Sequence, residues 1–148
     1  MDNMVVGTII ATVFSSIVAI VMSIYLNREN KKERFDLQLQ NILSYPMKYP
    51  YLEQKIFTDT WDPSLVANDE RYQRYERYCS IVFNYLYDVC LWKKYKQNDI
   101  ENYIGVKFWL RKHEKYWKKP SSEYENIDVY GKRFSDFISY YIIEEIRL

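Results

Sequence analysis

The sequence predicts an all-α protein: an N-terminal transmembrane helix continuing into an antiparallel cytoplasmic bundle of three or four helices. Three observations predict this class. The stretch MVVGTIIATVFSSIVAIVMSIYL, residues 4–26, holds no charged side chain. Downstream of it, apolar residues recur at threes and fours, the helical period. Chain breakers are few, with Gly 3 and Pro 4 in 148 residues, whereas Tyr alone numbers 16.

At 1.5 Å per helical residue, residues 4–26 cover roughly 30 Å, enough to cross the hydrocarbon of a bilayer. A cleaved secretory signal places basic residues ahead of a shorter apolar core. Here Asp2 and Asn3 lead, and the basic residues Arg28, Lys31, Lys32 and Arg34 all follow. A retained anchor is expected, with its N-terminus outside and the remainder cytoplasmic, because basic flanks stay on the cytoplasmic side. The domain organisation that follows is an anchor at 4–26, a juxtamembrane helix at 27–45 and a cytoplasmic helical domain at 46–148.

Small residues recur along the anchor at Gly7, Ala11, Ser15, Ala19 and Ser23, a strict interval of four. In lipid, helices associate where small residues let backbones approach, so this stripe predicts a self-association face and a homo-oligomer.

The anchor pattern continues past Arg28 with Phe35, Leu39 and Ile42 or Leu43 on one side, and Tyr45-Pro46 is expected to end it, since proline disfavours helix at the residue before it. Pro50 is placed to start a short helix with Tyr51, Leu52 and Phe57 inward. Asp62-Pro63-Ser64 carries turn chemistry. The strongest helix is predicted over 69–95 with Asn68 as its cap, burying Tyr72, Tyr75, Cys79, Val82, Phe83, Leu86, Val89 and Cys90. A further helix is predicted over roughly 99–118 with stripe Tyr103, Val106, Leu110, His113 and Trp117. Residues 121–131 read as a polar loop, and the last helix runs from Lys132 to about Ile146.

The motif RYQRYERY, residues 71–78, repeats arginine and tyrosine every third position. Steps of three drift backward by about 60° on a helix, so Arg71, Arg74 and Arg77 form no single face. Structural ion pairs are expected instead: Glu70 lies four residues before Arg74, and the acids of the C-terminal segment (Glu123, Glu125, Asp128, Asp136, Glu144, Glu145) are available to Arg71 and Arg77. Tyr78 is expected at the edge of the core with its hydroxyl free. A second basic set, Lys107, Arg111, Lys115, Lys118 and Lys119, falls opposite the apolar stripe of its helix, with Trp109 and Tyr116 at the margin. Such a face suits anionic lipid headgroups, each nearby basic residue adding about 1 kcal/mol.

Chemistry is sparsely signalled. The formal net charge of +1 carries no global field toward DNA or RNA, so no nucleic-acid partner is expected. One histidine, His113, without a second ligand at zinc spacing predicts no metal site. The two cysteines, Cys79 and Cys90, lie on an apolar stripe that raises their pKa, and a reducing compartment leaves them unpaired. No glycine-rich phosphate loop is present. No cofactor and no enzymatic activity are expected.

An N-terminal span running into NILSYPMKYPYLEQKIF, then FNYLYDVCLW, WLRKHEKYWKKP and YGKRFSDFISYYI, resembles a loose group of small bacterial single-pass membrane proteins with cytoplasmic, aromatic-rich helical domains. The resemblance implies a bacterial inner-membrane setting and a compact α domain, and it carries over no catalytic residue. The function expected on these grounds is a membrane-tethered interaction or scaffold module, in bacterial signalling or phage defence, meeting a protein partner in the membrane or cytosol. Two alternatives stand beside it: an effector that perturbs the membrane through oligomerised spans, and a sensor holding a small ligand between aromatic helices.

Overall fold

The computed structural model describes residues 3–121 and 126–143. Glu123, Glu125, Glu144 and Glu145, expected as arginine partners, and the predicted helix end at 144–146 lie outside them. Among the described residues the regular structure is helical throughout. The chain divides into two units, residues 1–38 and 39–148.

Helix α1 spans Asn3–Lys48. Its first part is the apolar stretch. From Ile9 to Leu26 the large apolar side chains are between 46% and 69% exposed. The helix has a window of mean hydropathy 2.4, long and apolar enough to cross a membrane. Two of its hydroxyls bond within the helix: Thr12 Oγ1 donates to the Thr8 carbonyl at 2.9 Å and Ser16 Oγ to the Thr12 carbonyl at 2.8 Å. Nothing lies within 4 Å of a Cβ built on Gly7.

The expected stop before Pro46 is displaced. α1 continues to Lys48 with Pro46 inside its last turn, and the Tyr49 N–H still reaches the Tyr45 carbonyl at 2.8 Å. A proline there removes one bond from an end already losing its partners, a small loss compared with one in mid-helix.

Residues 39–148 hold the core. A 3-10 turn at Pro50–Glu53 starts on its proline and buries Leu52. Then come α2 (Lys55–Thr58) and a second 3-10 turn, Pro63–Leu65, tied by Asp62, whose Oδ1 accepts from the Ser64 N–H at 2.9 Å and the Ser64 hydroxyl at 2.7 Å.

Helix α3, Glu70–Trp92, is the centre of the core. Its cap is Asp69 rather than Asn68: the Asp69 carboxylate accepts from the Arg71 N–H at 2.8 Å. Tyr75, Cys79, Val82, Leu86, Val89 and Cys90 are 0% exposed, and each Leu- or Val-sized side chain so buried contributes about 1.5–3 kcal/mol. α3 ends at Trp92, short of the expected Tyr95, because Lys94 (φ 54°) and Tyr95 (φ 58°) are left-handed. That conformation costs on the order of 1 kcal/mol for a non-glycine residue. Side-chain packing of Tyr95 against Phe137, with ring centroids 6.1 Å apart, and the Arg133 guanidinium 4.2 Å from its ring offset it.

The single helix expected over 99–118 is broken into α4 (Gln97–Glu101), α5 (Val106–Lys112) and α6 (Glu114–Lys118). Gly105 weakens helix by about 1 kcal/mol relative to alanine and sits at the first break. At the second, His113 leaves helical geometry (φ −109°, ψ 20°) while its side chain is fully buried among polar partners. Tertiary hydrogen bonding outweighs the local periodicity there.

The predicted loop 121–131 contains α7, Asn126–Tyr130, whose Asn126 side-chain amide donates to the Trp117 carbonyl. Gly131, at φ 77°, turns the chain into α8 (Lys132–Ile143). α8 buries Phe134, Ile138 and Tyr141.

Candidate functional site

Two features of residues 39–148 concentrate polar chemistry: a buried hub around His113 and a cationic cleft beside it. The hub draws on three elements. The 3-10 turn presents Glu53, α3 presents Tyr75, Tyr78 and Cys79, and the α5–α6 break presents Lys112 and His113. Glu53 Oε1 lies 3.2 Å from His113 Nε2, its Oε2 accepts from Lys112 Nζ at 2.5 Å, and the Tyr78 hydroxyl donates to Oε1. On the other side of the imidazole, Nδ1 is 2.9 Å from the Tyr75 hydroxyl and 3.7 Å from Cys79 Sγ.

The tautomer follows from these partners. An ionised carboxylate only accepts, so Nε2 carries the hydrogen, and in the neutral imidazole Nδ1 then presents its lone pair to the Tyr75 hydroxyl. Burial by itself pushes the Glu53 carboxyl up, but bonds from His113, Lys112 and Tyr78 outweigh it and hold it down at about 2. Burial pushes the Tyr75 and Tyr78 hydroxyls well above the tyrosine range, and it raises the Cys79 thiol likewise.

Glu53, His113 and Cys79 stand in the order orienter, base, thiol that nucleophilic catalysis uses. Here Cys79 is 0% exposed and Tyr75 takes the closer position on Nδ1, so the assembly is built as a satisfied core network. Among the described residues no group of three or more His, Cys, Asp and Glu side chains is arranged to hold a metal ion.

The cleft, about 770 Å³, lies between the end of α1 and one face of α3. From the first come Asn41, Ser44, Tyr45 and Lys48, followed by Tyr49; from the second come Glu70, Gln73, Arg74, Arg77 and Ile81. Both series run at threes and fours, so each is one helical face. Arg74 is fixed from three directions. It donates from Nη1 to the Tyr51 hydroxyl at 2.7 Å, pairs with Glu70 through Nη2, and lies 4.1 Å over the Tyr49 ring. The hub adjoins this cleft through Tyr78, whose ring is 6.2 Å from that of Tyr45.

The arginines of RYQRYERY therefore divide. Arg71 pairs with Asp69 at 2.7 Å, two residues away, rather than with Asp128 or Asp136, the described acids of the C-terminal segment, and Arg74 pairs with Glu70. Arg77 makes no ion pair or hydrogen bond among the described residues, and it shares the cleft with Arg74 but not with Arg71, so the three arginines do not form one face. Tyr78 is not at an edge: it is 1% exposed and bonded to Glu53.

The second basic set is spread over α5, α6 and the residue that follows, all exposed. Arg111, Lys115 and Lys118 line one shallow depression with Lys55, Asp59 and Glu114. Lys107 stands 3.9 Å from Glu101, Lys118 pairs with Glu114, and Lys119 pairs with Asp62 at 2.7 Å. These acids reduce the field that the sequence spacing suggested. Trp109 and Tyr116 are buried rather than marginal. Gly7, Ala11, Ser15, Ala19 and Ser23 all fall on α1, and the four beyond Gly7 are exposed like it.

Sequence reasoning missed Glu53, Lys112 and the α1 half of the cleft. The spacing of Asn41, Ser44, Tyr45 and Lys48 could have revealed a polar helical face. No sequence signal joins Glu53 to His113. No protein family, curated protein or solved structure matches this chain.

Proposed function

We propose that this is a single-pass protein of the bacterial inner membrane, with residues 4–26 as anchor, the N-terminus outside, and a cytoplasmic helical bundle that serves as a tethered interaction module. The observation that supports the reading is the exposure of every large apolar side chain from Ile9 to Leu26 on one unbroken helix, in a run free of charge up to Arg28. Such a surface is stable in hydrocarbon and costs about 25 cal/mol per Å² in water. Arg28, Lys31, Lys32 and Arg34 favour the orientation. The anchor self-associates through Gly7, Ala11, Ser15, Ala19 and Ser23, and the bundle presents a docking surface to a protein partner. The basic side chains Lys107, Arg111, Lys115, Lys118 and Lys119 add contact with anionic headgroups of the same leaflet.

A second reading, a sensor of a small ligand, is favoured by the cleft between α1 and α3, whose cations are not all matched by acids.

Cross-linking in intact membranes, followed by mass spectrometry of what is captured, tests the module. The expected result is a ladder of the protein with itself, lost in the Gly7→Ile, Ala11→Ile double variant, together with one dominant heterologous partner. An unchanged ladder in the variant removes the association face. Rapid membrane depolarisation on induction, dependent on residues 1–27, replaces the module with a membrane-perturbing effector. Loss of the protein from the membrane after alkaline extraction removes the anchor.

A further inference from the structure

We infer that the cleft between α1 and α3 is a binding site for a phosphate ester, with Lys48, Arg74 and Arg77 taking the phosphate and Tyr45 and Ile81 supporting the organic part. The inference rests on the cleft alone and is independent of how the chain is anchored.

Charge is the first argument. Three cations and a single acid, Glu70, line the cleft. Glu70 is the partner of Arg74 and its side chain is 79% exposed. Among the described residues Arg77 and Lys48 have neither an ion pair nor a hydrogen bond, Lys48 touching only the Tyr49 ring at 5.2 Å. Arg77 has the neighbouring Glu76 carboxylate as an electrostatic partner, but neither it nor Lys48 is held in an ion pair among the described residues, so both positive charges of the concavity are open to an anion.

Preorganisation is the second. The Tyr51 hydroxyl, Glu70 and the Tyr49 ring already hold the Arg74 guanidinium, and two of its five N–H donors are engaged. An arginine fixed in this way loses little side-chain freedom on taking a phosphate, for which its planar fork is suited. Further donors are at hand, since the Tyr45 and Tyr49 hydroxyls have no protein partner among the described residues; the Ser44 hydroxyl is not one of them, its hydrogen being given to the Asn41 carbonyl at 2.6 Å.

Size and lining are the third. A volume of about 770 Å³ exceeds what inorganic phosphate fills and lies in the range of small-molecule sites. Tyr45, 39% exposed, and Ile81, 36% exposed, give the cleft an apolar side on which a ring or chain can rest. Tyr45 is in turn backed by Tyr78.

A free organic phosphate and a lipid headgroup share this chemistry, and the experiment separates them. Full-length protein in a neutral detergent is titrated calorimetrically with ATP, with pyrophosphate, and with a water-soluble short-chain phosphatidylglycerol. Saturable binding of at least one is expected, weakened roughly tenfold or more by Arg77→Gln and by Lys48→Gln, as loss of a charge-assisted bond implies. Arg77 and Lys48 are exposed and make no hydrogen bond or ion pair among the described residues, so these variants keep the fold. Arg71→Gln, on the same helix but paired with Asp69 outside the cleft, is expected to stay within about twofold. Binding of ATP or pyrophosphate assigns the phosphate to a free ligand, and binding of the phosphatidylglycerol alone assigns it to lipid. The inference is overturned by the absence of saturable binding of all three at millimolar concentration. It is equally overturned if Arg71→Gln weakens binding as much as Arg77→Gln does.

Discussion

Glu53 Oε1 lies 3.2 Å from Nε2 of His113, 60 residues further along the chain, and this pair joins the 3-10 turn to the kink between α5 and α6. Its consequence is a carboxylate held ionised inside the domain, and that makes the fold sensitive to acid.

The Glu53 carboxyl sits at about 2 in the folded chain against an ordinary value of 4.5. A lowered folded-state pKa contributes stability that is fully present above 4.5 and is lost as pH falls from there toward about 2. The contribution at neutral pH is on the order of 3 kcal/mol. Urea unfolding of the full chain in detergent is expected to show it at pH 7, and Glu53→Gln to remove it there. The loss of stability between pH 5 and pH 2 should shrink in Glu53→Gln. A variant that is as acid-sensitive as the parent would place that sensitivity in another carboxylate.

Tyr75 is 0% exposed, and its hydroxyl satisfies His113 Nδ1. Tyr75→Phe leaves that lone pair with only the thiol of Cys79 at 3.7 Å, a weak partner. The expected cost is about 1–3 kcal/mol, the penalty of an unsatisfied buried acceptor. Denaturant midpoints compare it with Tyr130→Phe, whose hydroxyl bonds Asn84 at an exposed position and whose loss should cost less.

Both cysteines are free and buried, with Cys90 pushed up to about 12 by burial. Ellman's reagent at pH 8 is therefore expected to find no reactive thiol in the folded chain and both after denaturation. Rapid modification of Cys79 in the folded chain would show that the hub opens to solvent.

Gly131 and Gly105 make a contrasting pair. A Cβ on Gly131 meets nothing within 4 Å, yet φ is 77°, so Gly131→Ala acts through backbone strain alone and should cost about 1 kcal/mol. Gly105 has φ −74°, and its added Cβ would make an ordinary contact of 4.0 Å with Phe108 Cβ. Gly105→Ala should then be neutral or stabilising by a few tenths of a kcal/mol, through a stiffer unfolded chain. Thermal midpoints of the two variants check the order; equal losses would contradict it.

Much of the architecture is legible along the chain. The apolar run, the helical class, the α3 stripe from Tyr75 to Cys90 and the burial of His113 all depend on spacing within a few residues, where helical period is a direct physical constraint. The division of RYQRYERY is only half legible. Glu70 and Arg74 are four apart and meet, but Arg71 turns back to Asp69, a pairing that depends on the cap and not on helical period.

By itself the sequence determined that the protein is helical, that one of its helices can cross a membrane and which side of α3 faces the core, because each of these follows from local periodicity and apolar content. Only the tertiary structure decided that His113 breaks its helix, that Tyr78 is buried rather than marginal, and that Lys48 and Arg77 share a cleft. Each of those is settled by groups distant in sequence, where the cost of burying a polar atom or crowding two charges depends on what the fold brings beside it.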